Sequence, residues 1–130
     1  MNDLIRLVEE WKRTKSITTA NEVMRRLDKI TISDALVEQV IDWGREHHID
    51  NPHRQLNKVL EEVGEIAHEM TRDNLNSEEM QDALGDTLVT IIILADILNF
   101  DPLFCLQEAY DTIRTRKGIT RDGNFIKSNS

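Results

Sequence analysis

Apolar side chains recur at steps of three and four residues through almost the whole chain, which is the spacing of a helix buried on one face. Near the start this spacing joins Leu4, Leu7, Val8 and Trp11. It returns in later segments at Val23, Leu27, Ile30, Leu36, Val37, Val40, Leu56, Val59, Leu60 and Val63. Strand-like alternation is missing from the pattern, and Gly and Pro are sparse, with 5 and 2 copies. The sequence therefore predicts an all-α fold, a helical bundle.

Capping signals divide the pattern into six predicted helices. Ser33 is a favourable N-cap for the third helix. Asn51-Pro52 and Asp101-Pro102 combine an N-cap with a proline at the first helical position, and they open the fourth and sixth helices. The last predicted helix ends before Gly118, as expected for a glycine beyond a helix end.

The remaining signals set the limits of the predicted domain. Asn76 or Ser77 is expected to cap the fifth helix, and Glu79 stands where it would complete a capping box if Asn76 is the cap. Residues 119–130 are polar, and we expect a loop or an ordered strap. Residues 1–32 are predicted to be an N-terminal helical extension, and residues 33–130 the main domain.

Composition excludes several classes of function. The net charge of −8 disfavours a protein that tracks nucleic-acid phosphates. The single Cys105 allows neither an internal disulfide nor a cysteine-based metal site, and we expect a buried thiol in a reducing compartment. The start of the chain lacks a signal-peptide pattern. The apolar run of residues 84–100 contains Asp86 and Asp96, so we expect a buried helix in a soluble, cytoplasmic protein without a membrane partner.

Acidic residues are grouped on two predicted helices. The segment Glu61-Glu62-Val63-Gly64-Glu65 places carboxylates three and four residues apart, on one side of its helix. Glu79, Asp82 and Asp86 share a face of the next helix in the same way. Single acids such as Glu61, Glu69, Glu78 and Glu79 are typical of solvated helix faces.

The two groups of acidic residues together predict a bound cation. If the faces meet, each pair of like charges near 4 Å costs ~4 kcal/mol at an effective dielectric of 20. Bound protons or a cation would remove that cost, and a ligand set made of hard oxygens indicates Mg²⁺ or Mn²⁺. Gly64 and Gly85 precede Glu65 and Asp86, and we expect close helix packing at these glycines to bring the two acids toward a common ion.

These segments carry a resemblance to a known family. Glu61-Glu62-Val63-Gly64-Glu65, followed by Asp82-Ala83-Leu84-Gly85-Asp86, resembles the signature of the all-α nucleoside triphosphate pyrophosphohydrolases, above all their MazG-like branch. The resemblance runs from about Val40 to Lys127. It implies metal ligands at Glu62, Glu65 and Asp86. The family's third acid falls at Ala83, and Asp82 is expected to replace it, either with Asp86 or as a pair with Glu79.

The resemblance implies an enzyme that hydrolyses nucleoside triphosphates, in ribo or deoxy form, to a monophosphate and pyrophosphate, and that serves nucleotide pool control. Glu61 or Glu62 could orient or deprotonate the attacking water, and we expect Glu62 to bind Mg²⁺, or Mn²⁺, and Glu61 to assist as the base. It further implies a homodimer or a homotetramer.

Binding of a triphosphate needs cations and a wall for the base. We expect Lys58, Arg114, Arg116 and Lys117 to contact phosphates, although cations at a helix end also stabilise the helix without a ligand. Trp43 is a candidate for stacking on the base, or else a core residue. The weaker candidates for reading the polar edges of the base are Gln55, Tyr110 and Asn124. The four histidines, at 47, 48, 53 and 68, do not have a metal-binding spacing.

Two other functions stay open. The chain could be a helical module on the same scaffold, with little or no catalysis, that binds a nucleotide or a protein partner, and Ala83 favours this. It could also be a coat or tail component that pairs acidic faces with basic partners, which explains the net charge but not the paired glycines and acids.

Overall fold

The computed structural model describes the backbone of residues 2–128 and the side chains of residues 3–28 and 34–128. Within this part of the chain there are five helices and one two-stranded sheet. The elements are α1 (Asn2–Thr14), α2 (Ile17–Glu46), α3 (Pro52–Glu69), α4 (Ser77–Ile97), α5 (Pro102–Ile113), β1 (Gly118–Arg121) and β2 (Asn124–Lys127). The predicted all-α fold class is confirmed.

The first compact unit, Met1–His47, contains α1 and α2, which pack against each other. Leu4 and Leu7 of α1 are buried, as their helical spacing predicts. Ser16 caps α2, because its side chain accepts a hydrogen bond from the Thr19 N–H.

The predicted break before Ser33 is wrong, because α2 continues through this position to Glu46. Ser33 is a good N-cap only where a preceding helix has ended, and neither Gly nor Pro occurs between residues 17 and 43 to end it. The predicted domain limits, 1–32 and 33–130, remain a prediction.

The second unit, His48–Ser130, is built around the pair of helices α3 and α4. The amide of Gln55, near the start of α3, donates a hydrogen bond of 3.0 Å to the carbonyl of Thr90, in the second half of α4. At the other end, Arg72 beyond α3 contacts Glu79 in the first turn of α4. The two helices are therefore antiparallel.

The predicted caps of this unit are confirmed. Asn51 accepts from the Arg54 N–H at 3.0 Å, and Asn76 from the Glu79 N–H at 3.1 Å. Asp101 accepts from the Leu103 N–H at 2.9 Å. These bonds satisfy backbone donors that helices leave free at their first turns, which fixes where α3, α4 and α5 begin.

The tail forms a β-hairpin rather than the expected loop or strap. β1 and β2 pair antiparallel, with Gly118 opposite Lys127 and Arg121 opposite Asn124. The loop residues Asp122 and Gly123 have φ values of 52° and 77°, as a two-residue hairpin turn requires. Asp-Gly is a strong hairpin signal, but the strands it joins are only four residues long and fully exposed, so they show no alternating pattern.

Much apolar surface of the second unit is exposed. Cys105 is exposed, so the expected buried thiol is wrong for the single chain. It lies on α5, a helix in which the structure describes every residue and buries none. Among the described residues, no single helix is long and apolar enough to cross a membrane, while α4 and α5 pass that test only as a pair bent by 104°.

Candidate active site

A cleft of about 570 Å³ lies beside α3 and α4, and carboxylates dominate its lining. Its residues are Glu61, Glu62, Glu65, His68, Glu69, Arg72, Glu79, Asp82, Ala83 and Asp86. The antiparallel pairing of the helices sets the acidic side of α3 beside that of α4. All of the acids predicted as catalytic or metal-binding residues thus share one cleft.

The predicted role of the glycines is not confirmed. A Cβ atom built on Gly64 or on Gly85 would meet no other atom within 4 Å apart from its neighbours along the helix. The expected close packing at these glycines is therefore wrong within the chain, since α3 and α4 approach each other along other positions. The acids share a cleft because of the register of the helix pair.

One end of the cleft carries a three-charge cluster on α3. The ammonium of Lys58 lies 3.1 Å from Glu61 Oε1 and 3.3 Å from Glu62 Oε1. The hydrogen bond to Glu61, and to a smaller extent the one to Glu62, raises the pKa of Lys58 above its usual 10.5. The side chain of Glu62 is only 13% exposed, whereas that of Glu61 is 62% exposed. Glu61 is therefore the more accessible of the two to water.

The other end of the cleft contains a buried acid. Glu69 is 6% exposed, so the interpretation of this residue as part of a solvated face is wrong. Its Oε2 atom is buried and has no hydrogen-bond partner in the part of the chain that the structure describes. Arg72 Nε lies 3.2 Å from this oxygen, an ion-pair contact whose geometry is not that of a hydrogen bond.

The donors of the cleft have the chemistry of a metal site but do not converge on one point. Among the described residues, no three His, Cys, Asp or Glu side chains already converge on one point that could hold a metal. The chemistry of the donors nevertheless fits Mg²⁺ or Mn²⁺, because seven carboxylates supply hard oxygen atoms and Arg72 is the one cation among the lining residues. Ala83, where the resemblance implies a third acid, lines the cleft without adding a donor.

The residues predicted to bind substrate are found at several places. Arg116 and Lys117 line a second cleft of about 460 Å³, together with Lys127 of the hairpin. Arg114 lies 3.5 Å from Asp111 in an exposed pair at the end of α5. Lys58 borders the acidic cleft through its contacts with Glu61 and Glu62. The cations predicted to bind phosphates therefore lie at three places: the second cleft, the end of α5 and the border of the acidic cleft.

Two candidates for recognition of the base have other surroundings. Trp43 belongs to the first unit, where its ring lies 4.4 Å from that of His47 and it is 49% exposed, so it is not a core residue there. Gln55 is buried and donates to the backbone of Thr90. Gln55 therefore holds α3 to α4, and the idea that it reads the base is wrong.

Three lining residues were not predicted as site residues. Glu69 follows Glu62 and Glu65 by seven and four positions, so helical periodicity alone would have identified it. His68 also lines the cleft. Arg72 lies in the connection between the helices, where no periodic signal exists, and only the fold reveals its place.

The comparisons with known proteins agree with this geometry. A family model described as MazG nucleotide pyrophosphohydrolase domain matches residues 50–126. The match covers more than half of the chain and includes the whole acidic cleft, both helices that form it, and most of the hairpin. No curated protein and no solved structure matches the chain significantly. With the predicted motif and the family match on the same residues, the chain belongs to the MazG nucleotide pyrophosphohydrolase family.

Proposed function

We propose that this protein hydrolyses nucleoside triphosphates, in ribo or deoxy form, to a nucleoside monophosphate and pyrophosphate, and that it requires Mg²⁺ or Mn²⁺. The observation that carries the proposal is the gathering of seven carboxylates from α3 and α4 in one cleft of the family-matched segment. A fold that needed these helices only for stability would gain nothing from like charges at this density.

In the proposed reaction, a water attacks the α-phosphorus, the bond to the oxygen bridging the α and β phosphates breaks, and pyrophosphate leaves. Glu62, Glu65, Asp82 and Asp86 would hold the metal. A bound divalent ion supplies charge compensation for the phosphates and a lower pKa for a coordinated water. Glu61 is exposed at the cleft and would orient the water and take its proton.

Cations of the chain would bind the leaving phosphates. Arg116 and Lys117 line their own cleft and are proposed phosphate ligands, with Arg114 near them on the chain. Lys58 is also a proposed phosphate ligand, at the border of the acidic cleft where it contacts Glu61 and Glu62. Trp43 remains a proposed stacking partner for the base.

A homo-oligomer, a dimer or a tetramer, is part of the proposal. Large apolar side chains of the second unit are exposed in the single chain, most clearly along α5. A second copy would bury them, and the removal of apolar surface from water stabilises an assembly by about 25 cal/mol per Å².

Pyrophosphate release from a panel of ribo- and deoxynucleoside triphosphates tests the proposal, with Mg²⁺, with Mn²⁺ and with a chelator. Glu65→Gln is expected to lower turnover by at least ~100-fold, because one charged metal ligand is lost. Glu78→Gln is the matched control, since Glu78 is an exposed glutamate of α4 that does not line the cleft. Equal turnover in the two variants would contradict the proposed site.

The second candidate is a non-catalytic helical module that binds a nucleotide or a partner. Ala83 favours it, because this residue leaves the cleft without the family's third acid. If folded protein binds nucleotide but releases no pyrophosphate from any of the nucleoside triphosphates, the binding module is favoured over the enzyme.

A further inference from the structure

Arg72 links the two helices of the acidic cleft. It lies in the connection between α3 and α4, with Nε 3.2 Å from Glu69 Oε2 and Nη2 3.1 Å from Glu79 Oε2. Glu69 is the last residue of α3, and Glu79 lies in the first turn of α4. One guanidinium therefore contacts a carboxylate from each helix, and all three residues line the cleft.

Burial makes the contact with Glu69 the important one. The side chain of Glu69 is 8% exposed, and its Oε2 atom has no hydrogen-bond partner among the described residues. A buried carboxylate is strongly destabilising unless a cation compensates its charge. Arg72 is the cation that the structure brings to this oxygen.

The charges of the cleft then divide into three groups. Lys58 pairs with Glu61 and Glu62 at one end of the cleft. Arg72 balances Glu69 and Glu79, so these two acids already have a cation. Within the described chain, Glu65, Asp82 and Asp86 have no ion pair or side-chain hydrogen bond, although they line the same cleft. Of the seven acids that line the cleft, four are therefore paired with Lys58 or Arg72, and three have no cation beside them in the part of the chain that the structure describes.

We propose that Arg72 is a built-in counter-cation, a positioning residue that withholds Glu69 and Glu79 from divalent metal and so directs the metal to the remaining acids. A guanidinium suits this task, because it spreads one permanent charge over several nitrogen atoms, and here Nε and Nη2 each lie beside a carboxylate of a different helix. The proposal takes from the proposed function only the identity of the ion, and it is tested without nucleotide.

The first test counts Mn²⁺ ions bound per chain, by electron paramagnetic resonance of free Mn²⁺ during titration. Arg72→Gln frees Glu69 and Glu79, so we expect one additional Mn²⁺ per chain. The extra ion should disappear in the double variant Glu69→Gln, Arg72→Gln. Arg25→Gln is the matched control, because it breaks an exposed pair with Glu22 in the first unit and should leave the number unchanged. An unchanged number in Arg72→Gln would overturn the proposal.

A second variant keeps the test decisive if Arg72→Gln does not fold. Glu79 is 49% exposed, so Glu79→Gln should fold, and the proposal expects it to bind the same number of Mn²⁺ ions as the unmodified chain. Loss of an ion would make Glu79 a metal ligand and overturn the proposal. If the unmodified chain binds no Mn²⁺ and Arg72→Gln binds one, the inference is supported while the metal dependence of the proposed function fails.

Discussion

Ala83 stands where the resemblance to the MazG-like family implies a third acidic ligand. It is buried at 7% exposure in the wall of the acidic cleft, one helical turn before Asp86. An acidic side chain at this position would add a donor to the cleft. The alanine instead leaves Asp82, on the exposed side, as the proposed replacement.

The variant Ala83→Glu is expected to have opposite effects with and without metal. In chelator, one more carboxylate near Asp86 should lower the free energy of unfolding, because like charges one turn apart repel each other. With Mg²⁺ the added ligand should strengthen metal binding about 10-fold, which is about 1.4 kcal/mol. Thermal unfolding in both conditions measures this, with Ala83→Gln as the uncharged control. Identical behaviour of the two variants would show that the charge at this position is immaterial.

At the scale of the element, α2 has an ion cluster that is independent of the site. Glu22 accepts hydrogen bonds from Arg25 and from Arg26, one helical turn away. These bonds lower the pKa of Glu22 from its usual 4.5 to about 2. Because the folded pKa lies below the unfolded one, the stabilisation is complete above pH 4.5. It is lost as the pH falls from 4.5 toward 2.

The pH dependence of Glu22→Gln tests this cluster. The variant should unfold at a lower temperature than the unmodified chain at pH 7, and the difference should vanish near pH 2. The contribution is expected to be small, because the pair is exposed to solvent. Glu38→Gln, at an exposed position of the same helix, controls for the loss of a carboxylate. A difference that persists unchanged at pH 2 would contradict the assignment.

The hairpin depends on glycine at one crowded position. A Cβ atom on Gly118 would overlap the carbonyl of Ile126 and crowd the ring of Phe125. Gly118→Ala should therefore displace β2 from β1, at a cost of about 1–3 kcal/mol for the overlap. Amide hydrogen exchange of residues 118–127 measures the loss of pairing. Gly123→Asn is the control, because asparagine tolerates the positive φ of the turn and nothing lies within 4 Å of this glycine. Equal protection in the two variants would contradict this role of Gly118.

Capping residues in the sequence predicted where most helices begin. The sequence did not predict which residues of different helices contact each other. The caps at Asn51, Asn76 and Asp101 were correct because an N-cap is a contact between residues two or three positions apart. The N-cap signal at Ser33 was misleading, because α2 continues through this position and no new helix begins there.

The candidate site shows the same limit. The acids of α3 and α4 were predicted from helical spacing and the family motif, and the structure places them in one cleft. The position of Arg72 between Glu69 and Glu79 could not be predicted from the sequence, because these two carboxylates come together only when α3 and α4 pair in this register. The exposure of Cys105 was missed because composition does not tell which helix of a bundle is left uncovered.

At the scale of the whole molecule, the uncovered helix is the main argument for self-association. None of the residues of α5, all of which the structure describes, is buried. Five of its large apolar side chains are exposed: Leu103, Phe104, Leu106, Tyr110 and Ile113. Burial of each such side chain contributes about 1.5–3 kcal/mol, so a second copy over this helix has a large driving force.

The variant Leu106→Glu tests whether that surface is the interface. Leu106 is 66% exposed in the single chain, so the glutamate should not disturb the fold of one copy. It would, however, place a charge in the proposed interface, where its desolvation is unfavourable. Light scattering after size exclusion should give at least twice 15.1 kDa for the unmodified chain and 15.1 kDa for the variant.

Gln107→Glu is the control for this experiment, because it adds the same charge to a polar position of α5 and should leave the mass unchanged. If the active site needs the assembled state, turnover should fall with the mass in Leu106→Glu and remain in Gln107→Glu. A monomeric unmodified chain with full turnover would contradict both the interface and the need for it. A variant that stays assembled would instead place the interface on another apolar surface, because one charge buried at its centre would weaken the association.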